Sequence, residues 1–112
     1  RNMETLTAVT ALSALAQEHR LEIFRLLVRE GAHGIPAGHI GEKLDIPLST
    51  LSFHLSQLKN AGLISCRRES RTLFYSANYP SMNDLMAYLT ENCCEGNPDS
   101  CEIPAGCVPE KE

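Results

Sequence analysis

The sequence predicts a mainly α-helical fold carrying one small β-hairpin, and three observations support it. Apolar residues recur at helical spacing through most of the chain, and two short alternating runs flank an arginine-rich turn at Ser70. The aromatic content is three Phe, three Tyr and no Trp. A chain of 112 residues fits one domain, and aliphatic, aromatic-poor composition suits a small helical core better than a sandwich.

From Met3 to Ala16 the residues Leu6, Val9, Leu12, Leu15 and Ala16 keep the spacing of one helical face, which an isolated helix leaves partly uncovered. His19 to Glu30 is the most apolar helix, with Leu21, Phe24, Leu27 and Val28 on one stripe, Ile23 and Leu26 beside it, and a stop at Gly31. Ile35 starts a short strand, and Pro36 suits the first turn of a helix to about Leu44 whose inner side is Ile40 and Leu44. After the tight connection Asp45 to Pro47, a helix from Leu48 to about Ala61 buries Leu51, Leu55 and Leu58, and Gly62 ends it in a left-handed conformation. Two helices joined by about three residues form a helix-turn-helix. Leu63 to Arg68 and Arg71 to Ser76 then read as a hairpin with Leu73 and Tyr75 inward. Beyond a break at Asn78 to Pro80, Met82 to about Cys93 is the last helix, with Leu85 and Leu89 on its stripe. Gly, Pro, Asn and acidic residues from Glu95 onward predict an irregular tail.

The stretch Leu48 to Tyr75 is the chain's organising unit. Ser49, Ser52 and Ser56 share a helix face with Phe53, leaving Leu48 at the start of that helix. Short hydroxyls let a backbone approach a duplex closely and bond to base edges or phosphates, and Phe53 suits a thymine methyl. Arg67, Arg68 and Arg71 flank the turn, where guanidinium groups reach phosphates or a minor groove. The plainer alternatives are a solvated helix face, with Ser49 as its cap, and a solvated hairpin tip. The formal net charge of −4 opposes nucleic-acid binding, but its distribution does not. Lys59, Arg67, Arg68 and Arg71 face only Glu69, whereas Asp84 to Glu112 holds seven carboxylates and Lys111 alone.

Four of the five cysteines, Cys93, Cys94, Cys101 and Cys107, lie in the last 20 residues. No apolar run approaches the roughly 18 residues that span a bilayer, and Met3 is followed by Glu4 rather than by a secretory leader. Arg1 and Asn2 precede that methionine. The expectation is therefore a cytoplasmic protein without membrane association, in which a thiol cluster serves metal or redox chemistry. A thiol-dependent reductase is disfavoured, since no His or Lys stands near Cys93 and Cys94 to activate them. Isolated Cys66 reads as a small buried strand residue, and His19, His33, His39 and His54 as surface or capping residues without ligand spacing.

The segments ALAQEHRLEIFRLL, LSTLSFHLSQLKNAGLI and RRESRTLFY together make the chain resemble the ArsR/SmtB metalloregulatory repressors, from about Leu12 to Cys101. The resemblance implies a homodimeric winged helix-turn-helix, not an enzyme, that binds double-stranded operator DNA and leaves it when a toxic metal or metalloid binds. It implies a DNA-binding and dimerisation domain over residues 1–94 and a cysteine-containing tail over 95–112. The first and last helices would pair across the dimer axis through Leu6, Val9, Leu12, Leu85 and Leu89. Two positions depart from the family pattern: Ser70 stands where wings usually have Gly, and Phe53 where the recognition helix commonly has His. The family's Cys-x-Cys and Asp/His ligand positions are absent, and NCCEGNPDSC resembles arsenic sensors that use three thiolates at and beyond the last helix. By that likeness Cys93, Cys94 and Cys101 hold arsenite, or antimonite, with no organic cofactor. Soft thiolates without His suit such trigonal acceptors. Cys107 as a fourth sulfur leaves zinc, cadmium or lead open, beside organoarsenicals and thiol redox sensing.

Overall fold

The computed structural model describes residues 3–96. Five helices, α1 (Thr5–Leu15), α2 (Glu18–Glu30), α3 (Ala37–Leu44), α4 (Leu48–Asn60) and α5 (Tyr79–Leu89), surround three short strands. Strands β1 (Ile35–Pro36), β2 (Ile64–Glu69) and β3 (Thr72–Ala77) form an antiparallel sheet in the order β1–β3–β2. Residues 97–112, with Cys101 and Cys107, lie outside the described residues, as does most of the tail expected over 95–112.

The core is a single cluster built around α2 and α4, where Ile23, Leu27, Leu51 and Leu58 are fully buried. Helix α1 joins it by its alanine face, and the apolar stripe expected to stay uncovered does so. Ala8, Ala11 and Ala14 are buried, while Leu6, Val9 and Leu12 stay exposed. Alanine lets α1 lie close against its neighbours, so the larger stripe faces out. In α2, Leu21 is likewise exposed, and Ile23 and Leu26 are buried in its place. Those two side chains were expected beside the stripe; the core wraps further round α2 than one stripe allows.

Helices α3 and α4 are joined through Asp45, which takes a left-handed conformation, and Pro47 precedes α4. At the far end Gly62, at φ +79°, turns the chain out of α4 into β2. Gly34 is needed where the α2–β1 loop meets the sheet: at φ +81°, a Cβ there would stand 2.8 Å from the Tyr75 carbonyl oxygen. Only hydrogen fits so near a backbone oxygen.

The hairpin register pairs Glu69 with Thr72 and Ile64 with Ala77. Leu73, expected inward, is exposed, whereas Ala77 on the same face is buried. The hairpin projects beyond the core, so burial along one face fades from its base to its tip. The loop residue Ser70 adopts φ +58°. A Cβ in that region costs roughly 1–2 kcal/mol, part of which glycine gives back in chain entropy. Ser70→Gly is therefore expected to stabilise the fold by about 0.5 kcal/mol, seen as a Tm rise of a few degrees in thermal unfolding.

Asn78 to Pro80 begins α5 rather than breaking the chain. The Asn78 side chain accepts from the Ser81 N–H at 3.3 Å, and Pro80 occupies the first turn, where a missing N–H costs nothing. Helix α5 also ends sooner than the apolar spacing implies, at Leu89, with the Thr90 hydroxyl donating to the Met86 carbonyl.

Candidate nucleic-acid interface

Helix α4 has two faces of opposite character. Leu51, Leu55 and Leu58 point into the core, and Ser49, Ser52, Phe53 and Ser56 are exposed. Among the described residues no hydrogen bond engages the three serine hydroxyls. Ser49 is not the cap, because Pro47 holds that position without a side-chain bond. Leu48, 62% exposed, and Phe53, 58% exposed, are large apolar groups held in water beside those hydroxyls. Exposing such side chains forgoes burial energy, which is regained wherever a surface covers them.

His54, expected on the surface, is buried on the inner side of α4 at 6% exposure. Its Nδ1 lies 3.2 Å from the Arg20 Nη1, and the His19 ring is centred 5.4 Å away. Arg20 also donates from Nε to the Ala14 carbonyl at 2.6 Å, closing the carboxyl end of α1. One guanidinium thus joins α1, α2 and α4. Burial, then the charges of Arg20 and His19, lower the His54 pKa. The unfolded chain therefore binds a proton here more readily than the native one. Stability is complete above the unfolded value, near 6.5, and falls as pH drops below it toward the depressed native value. Denaturant unfolding at pH 7.5 and 5.5 is expected to show this loss, and His54→Gln to reduce it.

The wing presents Arg67, Arg68 and Arg71 as exposed residues. They are not equivalent. Arg67 is bonded to Glu69 and to the His33 carbonyl, whereas no described partner holds Arg68 or Arg71. Cys66 is half-buried opposite Tyr75 rather than buried as a core residue. Burial, the Cys66 charge and a hydrogen bond to Cys66 raise the Tyr75 pKa.

Past α5 the chain enters a short turn over Cys93–Gly96, in which Cys94 and Glu95 are left-handed. Cys93 and Cys94 therefore follow the helix rather than ending it, Cys93 half-buried and Cys94 exposed. Among the described residues no group of three or more His, Cys, Asp or Glu is placed to hold a metal. Leu85 is buried within the protomer, while Leu6, Val9, Leu12 and Leu89 are exposed. Leu85 thus serves this core rather than an outer surface.

A helix-turn-helix domain family matches residues 15–67, the segment from the end of α1 into β2. The transcriptional activator HlyU of Vibrio cholerae is 31% identical over 90 residues, covering 80% of this chain and 81% of that protein. The chain belongs to the ArsR/HlyU family of winged helix-turn-helix transcriptional regulators. The solved structure of HlyU from Vibrio cholerae agrees at 33% identity and a TM-score of 0.62, over 78% of this chain and 97% of that one. A possible ArsR-family regulator from Mycobacterium bovis, solved as a homodimeric winged helix-turn-helix DNA-binding domain, is 25% identical at a TM-score of 0.61, over 82% of this chain and 85% of that one. Within the ArsR/HlyU fold α4 is the recognition helix and β2–β3 the wing, and such regulators are not enzymes. No helix among the described residues is long and apolar enough to cross a membrane.

Proposed function

We propose that this ArsR/HlyU regulator is a homodimeric, cytoplasmic repressor that releases operator DNA in response to trivalent arsenic. The observation that carries the ligand reading is the adjacent pair of cysteines, Cys93 and Cys94, in the turn that follows α5. Their donor chemistry fits arsenite or antimonite: two adjacent soft ligands, with Cys101 supplying a third sulfur from beyond the described residues. Arsenic bound there would supply a covalent link among thiolates that are otherwise separate.

DNA is read by Leu48, Ser49, Ser52, Phe53 and Ser56 in the major groove, with Arg68 and Arg71 on flanking phosphates. The exposed stripe Leu6, Val9 and Leu12, with Leu89, supports pairing of α1 and α5 between protomers, and a similar regulator is itself homodimeric. Two recognition helices must then sit about 34 Å apart to enter successive grooves. Helix α5 is firmly tied to one of them. The Asn78 side-chain amide donates to the Gly62 carbonyl at 2.9 Å, and the Asn78 backbone N–H to Leu63 at 2.9 Å, both at the exit of α4. Tyr79 donates its hydroxyl to the Val28 carbonyl at 2.8 Å. A change in the direction of α5 therefore displaces the end of the recognition helix.

A mobility-shift assay tests this, using a duplex selected by the protein from a random-sequence pool. Arsenite is expected to release the duplex, and retention at saturating arsenite would overturn the ligand assignment. A second reading is thiol redox sensing by the same cysteines, with Cys94 exposed to solvent and so open to oxidation. Diamide in place of arsenite separates the two.

A further inference from the structure

We propose that Arg67 is a positioning residue that sets the angle of the wing and thereby presents Arg71 to DNA. This rests on the wing lying against the duplex. From β2 the Arg67 side chain crosses the face of Phe74, its cross-strand partner on β3, with its guanidinium carbon 4.9 Å from the ring centroid. Beyond the ring its Nη1 donates to the His33 carbonyl at 3.0 Å, in the loop leading to β1. One side chain therefore spans β2, β3 and the approach to β1. Phe74 is also the residue that pairs with Pro36 on β1, so this strap lies over the point where all three strands meet.

The charge of Arg67 is already matched. Its Nε donates to the Glu69 Oε2 at 3.0 Å, and its Nη2 lies 3.0 Å from the same oxygen. A guanidinium committed to a carboxylate, a carbonyl and a ring must give up those contacts to grip a phosphate. Arg68 and Arg71 have nothing comparable to give up. The geometry also depends on the planar fork of arginine. A lysine at this position keeps the charge but cannot cover the ring and reach both oxygens together.

The test measures duplex affinity for wild type, Arg67→Ala, Arg67→Lys, Arg71→Ala and the Arg67→Ala/Arg71→Ala pair, after thermal unfolding confirms that each protein is folded. Arg67→Ala is expected to weaken binding severalfold, about as much as Arg71→Ala, and Arg67→Lys to weaken it nearly as much despite the retained charge. Arg71→Ala is expected to cost severalfold in wild type and far less in the Arg67→Ala background, although Arg67 and Arg71 share no contact. A residue acting on stability alone would leave the Arg71 effect unchanged. Additive losses, or recovery of affinity by Arg67→Lys, would overturn the proposal and make Arg67 a direct phosphate contact. If Arg71→Ala has no effect in wild type, the wing reading itself fails and the positioning role falls with it.

Discussion

Cys93→Ser and Cys94→Ser proteins are expected to bind the selected duplex as wild type does and to keep it when arsenite is added. Neither thiol belongs to the core cluster or lies on α4 or the hairpin, so replacing sulfur by oxygen leaves α4 and the hairpin intact. The hard hydroxyl is a poor ligand for a soft acceptor at neutral pH. A coupling of roughly 1–3 kcal/mol lowers operator affinity about 5 to 150-fold when ligand binds, and that whole factor is expected to vanish in either variant. Titrating the duplex against each protein with and without arsenite measures it directly. Normal release by both serine variants would remove these cysteines from the sensing site. Cys66→Ser serves as a comparison, since Cys66 lies on β2, well separated in sequence from the cluster, and its variant is expected to respond like wild type.

The second large effect falls on stability. Leu51→Ala empties a fully buried position on α4, and such truncations cost about 2–5 kcal/mol. Against a total of about 5–15 kcal/mol for a domain, that is a substantial fraction of the margin. Its neighbour provides the contrast. Ser52→Ala changes an exposed residue with no described hydrogen bond and is expected to stay within about 0.5 kcal/mol of wild type. Chemical denaturation of the two variants should therefore separate by several kcal/mol, while any DNA-binding defect of Ser52→Ala is read without a stability correction. Equal midpoints would mean that α4 is not anchored through Leu51.

Local pattern carried much of this protein. The 3.6-residue period placed Leu51, Leu55 and Leu58 inward on α4 and left Ser49, Ser52, Phe53 and Ser56 outward, and the structure has the same division. Gly62 ended the helix as its chemistry demands, and alternation on either side of Ser70 placed the hairpin. These features depend on residues within a turn or two of each other, where spacing alone determines which side chains share a face.

Tertiary structure decided the rest, because it depends on residues far apart in the chain. In helix α1 the outward stripe of Leu6, Val9 and Leu12 is as expected, but that Ala8, Ala11 and Ala14 carry the core contact follows only from the closeness of its neighbours. Leu73 keeps the strand period yet stays exposed, since the core ends before the hairpin does. Cys93 and Cys94 fall past α5 because the helix stops at Leu89 and Asn92 takes a left-handed conformation at φ +58°, a change that apolar spacing does not register. His54 is buried beside Arg20, and Arg67 reaches His33, each across 34 residues of sequence. Residue spacing was enough to give α4 an outward face of Ser49, Ser52, Phe53 and Ser56 and the hairpin an arginine-rich tip. Only the fold decided that Arg67 is held by Glu69 and His33 while Arg68 and Arg71 have no described partner, because a side chain's partners follow from packing rather than from its neighbours in the chain.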